Sequence, residues 1–428
     1  MTSELVALLE GIEVGRVRRD KRGQLTFVYD QAWRDASDAY PVSLSMPLAA
    51  KEHGSAAIEA FLWGLLPDNE FVLQRWAKKY QVSARNAFAL LSRVGEDCAG
   101  AVQFIAVERL DSVRSGSDDK VEWLDERDIA ERLRLLREDH AAWRLPRDTG
   151  QFSLAGAQPK TALLLEQHRW GVPSGRIPTT HILKPPTGHF DSHAENEHIC
   201  LMVARALGLP AASSQVMRFE KEIAIIVERY DRQRLGNDIL RVHQEDVCQA
   251  LAVMPTKKYQ NEGGPGVRDV NELLNAQSSE RQEDISTFLG AIGFNWLIAG
   301  TDAHAKNYSL LITGGPRVRL APLYDLASIL PYEEFDLHKA KLAMKIGGEY
   351  ELLKIGLRQW QKLAQEIRAD VDAVIDGLNA TTEELPDAVT QATERARKDG
   401  LKNAIIDRLA AGLISRAKEC KRLLAAAR

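Results

Sequence analysis

The chain has 428 residues, 45% of them hydrophobic and 27% charged, with a formal net charge of −4. That is ordinary globular composition, with material for two or three domains. The slightly acidic balance excludes a global electrostatic footprint for nucleic acid or anionic membrane. No stretch approaches the ~20 apolar residues of a membrane span, and the opening MTSELVALLE lacks the basic and long apolar regions of a signal peptide. Cys98, Cys200, Cys248 and Cys420 lie far apart with no CxxC pair, so neither a zinc ligand set nor a disulfide framework is expected. The expectation is a cytoplasmic protein.

Residues 11–30 read as two alternating strands around the turn RDKRG, and PVSLSMPL as another strand. AAIEAFLWGLLPDNEFVLQRWAKKY reads as two helices broken at Pro67, with Asp68 or Asn69 as N-cap. AVQFIAV at 101–107 closes this unit as a strand. The polar, Gly- and Ser-bearing 108–120 marks a boundary. FSLAGAQPKTALLL then gives a strand, a small-residue loop and a strand. THILKPP is a short strand stopped by prolines. ENEHICLMVARALGLP is a helix ended by Gly208 and Pro210, and QVMRFE with EIAIIVERY forms a hairpin. From 241 the pattern turns helical: QEDVCQALAV, VNELLNAQ, and DISTFLGAIGFNWLIAG with Asp284 as N-cap and Gly300 as C-cap. Two long amphipathic stretches near 351–378 and 384–425 end the chain.

The polar run TDAHAKN at 301–307 interrupts apolar sequence. Asp302, His304, Lys306 and Asn307 sit where polar groups cost free energy unless each finds a partner. YSLLI, TGGPR and VRLAPL then form a hairpin. Its two open ends lie side by side, so Asn307 before it converges with Asp325 after it, and Asp302 lies on the incoming loop. Two carboxylates and a carboxamide make an all-oxygen site suited to Mg²⁺. The spacing D-x-x-x-x-N, followed by an Asp after a hairpin, is that of a kinase catalytic loop: Asp302 as base, Asn307 and Asp325 on metal. Upstream, Lys184 in HILKPP is placed to hold ATP phosphates. Glu195 or Glu197 at the next helix start would orient it. SLAGAQPK is the candidate phosphate loop, with Ser153, Ala155, Gly156, Ala157, Gln158 and Lys160 as its nucleotide-facing residues. Glu228, Arg229 and Tyr230 stand where a hinge would meet adenine. His304 and Lys306 join the nucleotide's surroundings, His304 chiefly as a structural hydrogen-bonder and Lys306 as a phosphate neutraliser or a solvated loop charge. The pattern departs from ordinary protein kinases: it has no GxGxxG, no HRD, and no Gly after Asp325–Leu326.

The set FSLAGAQPKTALL, HILKPP, ENEHICLMVARALGL, VERYDR, HQEDVCQALAV, GTDAHAKNYSLL and APLYDLAS, spanning 152–328, resembles the HipA-type serine/threonine kinases, the toxin half of bacterial toxin–antitoxin pairs. The resemblance implies an α+β, bilobed, protein-kinase-like fold: an N-terminal β-rich subdomain over 1–110, an N-lobe over 111–240 and a helical C-lobe over 241–428. It implies ATP and Mg²⁺, and autophosphorylation at Ser153. It also implies a small HipB-like helix-turn-helix antitoxin dimer as partner, DNA contact only through that antitoxin, and a protein substrate in translation such as an aminoacyl-tRNA synthetase. A small-molecule phosphotransferase shares the D-x-x-x-x-N logic, and a non-catalytic corepressor is the remaining alternative. Three patterns take plain readings. HAENEH at 193–198 is a helix start rather than a zinc site, NEGGPG at 261–266 a flexible loop rather than a second phosphate cradle, and RAKECKRLLAAAR a solvated helix face.

Overall fold

The computed structural model describes residues 3–145, 148, 152–186, 192–236, 238–315 and 317–425. Two compact units emerge: Met1–Thr187 with Met217–Thr256 and Ser309–Val318, and Gly188–Val216 with Lys257–Tyr308 and Arg319–Arg428.

The first unit begins with β1 (Glu4–Leu9), β2 (Ile12–Arg19) and β3 (Leu25–Tyr29). β1 carries no alternation, because it lies buried between β2 and a later strand, so no period marks it in the sequence. Its turn to β2 uses Glu10 at φ +51° and Gly11 at +80°, the left-handed pair that matches strand twist. α1 (Gln31–Asp35), β4 (Glu52–His53), α2 (Ser55–Gly64), α3 (Glu70–Tyr80), α4 (Ala87–Val94) and β5 (Val102–Ala106) follow. The sheet order is β4-β3-β2-β1-β5. Asn69 caps α3, taking the Phe71 and Val72 amides. PVSLSMPL is not a strand; only an isolated Ser43–Met46 bridge forms. Its polar groups are satisfied elsewhere: Ser43 Oγ and the Leu44 amide donate to Glu245 at 2.5 and 2.7 Å.

A short α5 (Leu110–Ser115) leads to β6 (Lys120–Leu124) and α6 (Glu126–Glu138), the latter started by a capping box between Asp125 and Asp128. β7 (Thr161–Glu166), β8 (Arg169–Ser174) and β9 (His181–Lys184) come next, then α7 (His193–Ala206), β10 (Ser214–Phe219) and β11 (Glu222–Glu228). The six-stranded order is β10-β11-β9-β7-β8-β6. Ile129 and Leu133 of α6 pack on Leu163, Trp170, Leu183 and Ile226 of this sheet. The expected strand at FSL is only a parallel bridge between Phe152 and Asp97.

β12 (Arg232–Leu235) and β13 (Asp238–Arg241) form an exposed hairpin. β14 (His243–Asp246) and one turn of α8 (Val247–Ala250) replace the helix expected at QEDVCQALAV. The first three residues of that stretch, with His243 before them, are recruited as a strand by antiparallel pairing with the later Ser309–Ile312. This is a tertiary override of local pattern.

In the second unit, α9 (Val267–Gln277) and α10 (Arg281–Leu297) precede the polar loop; the chain then continues into β15 (Ser309–Thr313), which belongs to the first unit, and β16 (Arg317–Leu320). α10 starts three residues before Asp284, whose buried carboxylate instead takes Ser278 Oγ at 2.6 Å, the Leu320 amide at 2.9 Å and Arg319. The left-handed C-terminal residue is Ala299, at φ +54°, not Gly300. The Gly300 amide closes back on the Asn295 carbonyl at 2.8 Å, a Schellman-type end. β17 (Lys341–Ile346), β18 (Glu349–Glu351), α11 (Leu357–Glu366), α12 (Val371–Lys398) and α13 (Ile405–Ala425) complete the chain. The expected break near 379–383 does not occur; α12 runs through Pro386, with Thr381 and Thr382 hydroxyls bonded to carbonyls four residues back. The core centres on Trp296 and Trp360, edge to face at 5.6 Å. On α13, Lys418, Lys421 and Arg422 are solvated as expected, whereas Arg416 is buried over the Trp296 ring.

All four cysteines are buried thiols, and burial pushes Cys98 and Cys420 up to about 12. Among the described residues no helix is long and apolar enough to cross a membrane.

Candidate active site

The second unit holds the carboxylates. Leaving α10, the chain turns at Ala299 and Gly300; a Cβ on Gly300 would lie 2.4 Å from Asn295 Oδ1, so a larger residue would have to displace the Asn295 side chain. Asp302 follows, exposed. Its carbonyl accepts the His304 amide at 2.8 Å and Asn307 Nδ2 at 3.1 Å. The Asn307 side chain is thereby oriented, with Oδ1 as its remaining face. A 3₁₀ turn, Ala305–Asn307, completes the loop.

Asp325 is brought to this loop by its neighbour. Tyr324 donates its hydroxyl to the Lys306 carbonyl at 2.7 Å, so the residue before Asp325 touches the residue before Asn307. The strap is anchored on both sides. Leu323 exchanges backbone bonds with Pro210 and Ala212, both 2.8 Å, and Asn196 grips the Ser328 carbonyl and amide at 2.7 and 3.1 Å. Between these anchors Asp325 adopts φ +53°, a left-handed conformation costly for a residue with a Cβ and typical of functional sites.

His304 is buried, which holds its imidazole below the ordinary pKa against the pull of Asp302. Its backbone amide donates within the loop, and its Nδ1 finds no partner among the described residues. The ring instead packs edge-on to Tyr259 at 4.9 Å. Lys306 is also buried, which removes the solvated-charge reading. Glu195 and Glu197 are both buried on α7, and Asn403 donates to Glu195 Oε1 at 3.3 Å. Among the described residues no three His, Cys, Asp or Glu side chains group as metal ligands.

The first unit holds the expected phosphate-binding parts. Lys184 is buried on β9 opposite Ile225. Ser153 is fully buried: its hydroxyl donates to the Leu65 carbonyl at 2.7 Å and its amide to the Asp97 carbonyl at 2.9 Å. Gly156 sits at φ +100°, bridged to Pro67, with its carbonyl taking the Asp68 amide at 3.0 Å. Lys160 folds back, donating to the Ala155 carbonyl at 2.7 Å and lying over Trp143. Ala157 and Gln158 belong to the same turn. Glu228 is exposed at the end of β11, and Tyr230 donates to Gln244. Arg229 between them is buried, holding Asp231 at 2.8–3.0 Å, Thr179 and the Cys98 carbonyl.

Tyr259 and Tyr324 were not legible as site residues. Tyr324 had a cue in its place beside Asp325. Tyr259 had only the glycine-rich turn that follows it.

Comparison with known proteins matches this architecture. Residues 152–396 match the family model of the HipA-like C-terminal domain, and residues 5–105 that of the HipA N-terminal domain. The chain belongs to the HipA family. Putative kinase Y4mE of Sinorhizobium fredii is 35% identical over 417 residues, 96% of each chain. The serine/threonine-protein kinase toxin HipA of Shewanella oneidensis is 29% identical over 85% of this chain and 83% of its own. A solved complex of Shewanella oneidensis HipA, HipB and operator DNA contains a chain with TM-score 0.83 and 25% identity, covering 97% of this chain and 96% of that one. The α+β kinase-like fold expected from the motifs is the fold of the HipA family, and the chain is an enzyme of the serine/threonine-protein kinase class.

Proposed function

We propose that this HipA-family chain is the toxin of a HipBA-like pair. On this reading it transfers the γ-phosphoryl group of ATP to a serine or threonine of a translation component. An aminoacyl-tRNA synthetase, glutamate–tRNA ligase first, is the candidate acceptor, and growth arrest with persistence the outcome. The kinship with a kinase toxin supports the class. The observation that carries the site is the 2.7 Å bond from Tyr324 to the Lys306 carbonyl, which draws Asp325 to Asn307 and Asp302. Asp302, exposed on its loop, accepts the acceptor hydroxyl's proton. Asn307 Oδ1 and the Asp325 carboxylate form an all-oxygen donor set that fits Mg²⁺. When bound there, Mg²⁺ supplies the positive charge that screens the ATP phosphates. Lys184 holds phosphate oxygens, the Ser153–Lys160 loop offers backbone amides, and Glu228 to Tyr230 meet adenine. The working division is 1–110, 111–240 and 241–428, with the cytoplasm as the place of action.

The test is incubation of the purified chain with labelled ATP, Mg²⁺ and cell lysate, followed by mass spectrometry of the labelled protein. Label on one translation protein, lost in Asp302→Asn, supports the reading. Label only on small molecules, or none, overturns it. Asp302→Asn should slow transfer by roughly 10²–10⁴-fold, the usual worth of a positioned base, with ATP still bound.

A further inference from the structure

The stretch KYQNEGGPG at 258–266 folds as a hydrogen-bonded turn. Tyr259 begins a tight turn in which its carbonyl accepts the amides of Glu262 and Gly264, both at 3.0 Å, and Gly263 donates to Gln260 at 3.1 Å. Gly263 sits at φ +86°, and a Cβ on Gly264 would lie 1.9 Å from the Lys257 carbonyl. Both glycines are therefore required by the turn. Gln260 Oε1 accepts the Lys345 amide at 2.7 Å, and the Lys258 carbonyl accepts the Ala305 amide at 3.3 Å. The turn is thus pinned on both sides of Tyr259. The ring rests edge-on against His304, and the hydroxyl donates to Asp302 Oδ1 at 2.6 Å.

We propose that Tyr259 is a positioning residue for phosphoryl transfer, and that the glycine turn serves to place it. An exposed carboxylate on a loop is free to rotate about its terminal bond. A short hydrogen bond to the charged oxygen stops that rotation. With Oδ1 held by Tyr259, Oδ2 faces the acceptor. In the step, the acceptor oxygen bonds to the γ-phosphorus while the bond to the ADP bridging oxygen breaks. The hydroxyl proton passes to Oδ2, and Tyr259 keeps its own proton throughout. This inference rests on Asp302 being the base.

Tyr259→Phe keeps the ring against His304 and removes only the hydroxyl. The full-length wild type, Tyr259→Phe, Asp302→Asn and the double variant are compared by initial rate of label transfer from saturating Mg-ATP to lysate protein, with Mg-ATP affinity by calorimetry. Tyr259→Phe is expected to slow transfer roughly 10- to 100-fold, the worth of a hydrogen bond to a charged group, while nucleotide affinity stays within about twofold. In the Asp302→Asn background the same change should cost nothing more, because the bond it removes serves the carboxylate. Equal losses in both backgrounds would mean a merely structural role and overturn the proposal. So would wild-type transfer by Tyr259→Phe beside a slow Asp302→Asn. Wild-type transfer by Asp302→Asn would instead sink the base assignment on which both rest.

Discussion

Asp325 holds its left-handed φ of +53° because the chain on either side is tied to Pro210, Ala212 and Asn196. Asp325→Ala and Asp325→Gly remove the same carboxylate but differ in backbone freedom. Both should weaken Mg-ATP binding in calorimetry. In denaturant titration the glycine variant should be the more stable by about 1 kcal/mol, since only glycine occupies this region without strain. Coincident unfolding curves would remove the strain argument. Glu245 offers a pH test. Burial pushes its carboxyl up to about 8 from an ordinary 4.5. Between those values the folded chain keeps a proton that the unfolded chain gives up, so stability from this group is whole below the lower value and drains as pH rises through the upper. Glutamine can keep the bonds to Ser43 and Leu44 without titrating. Relative to Glu245→Gln, the wild type should lose melting temperature from pH 5 to 8; parallel curves would refute the shift.

The Ser153–Lys160 loop is packed inward, and that bears on its proposed modification. A phosphate on Ser153 adds about −1.5 to −2 charge, and its oxygen is seated against the Leu65 carbonyl, itself an acceptor, at 2.7 Å. The modified loop must therefore leave its seat. Phosphorylated wild type should show faster amide exchange over 152–160 and much weaker Mg-ATP binding than the dephosphorylated form. A phosphate mapped elsewhere, or equal affinity in both forms, would refute the switch. The elements also explain what could be read in advance. Asp302 and Asn307 are five positions apart and Asp325 follows a hairpin, so local spacing carried the site. Tyr259 reaches Asp302 across 43 positions, and no period or spacing signals such a contact. The same holds for β14, whose strand state depends on pairing with Ser309–Ile312, and for Ser43, whose partner Glu245 lies 202 positions away. Caps were legible where the side chain serves its own helix, as Asn69 does. They were misread at Asp284, where the carboxylate serves Arg319 and Leu320 instead.

At the scale of the molecule, the proposed antitoxin partnership separates DNA binding from this chain, whose net charge is −4. Purification from its own operon should bring down a small helix-turn-helix protein, and operator DNA should bind the complex but not the chain alone. Binding by the isolated chain at nanomolar affinity in physiological salt would count against that division. The four buried cysteines have a practical consequence for such work. A native fold whose own thiols are shielded is silent towards maleimide dyes, so a single cysteine introduced on the exposed surface, for example at Phe71, would carry the only fluorophore. Antitoxin docking or nucleotide loading could then be followed in real time on an otherwise unaltered chain, and a second wave of labelling would report the moment the fold opens.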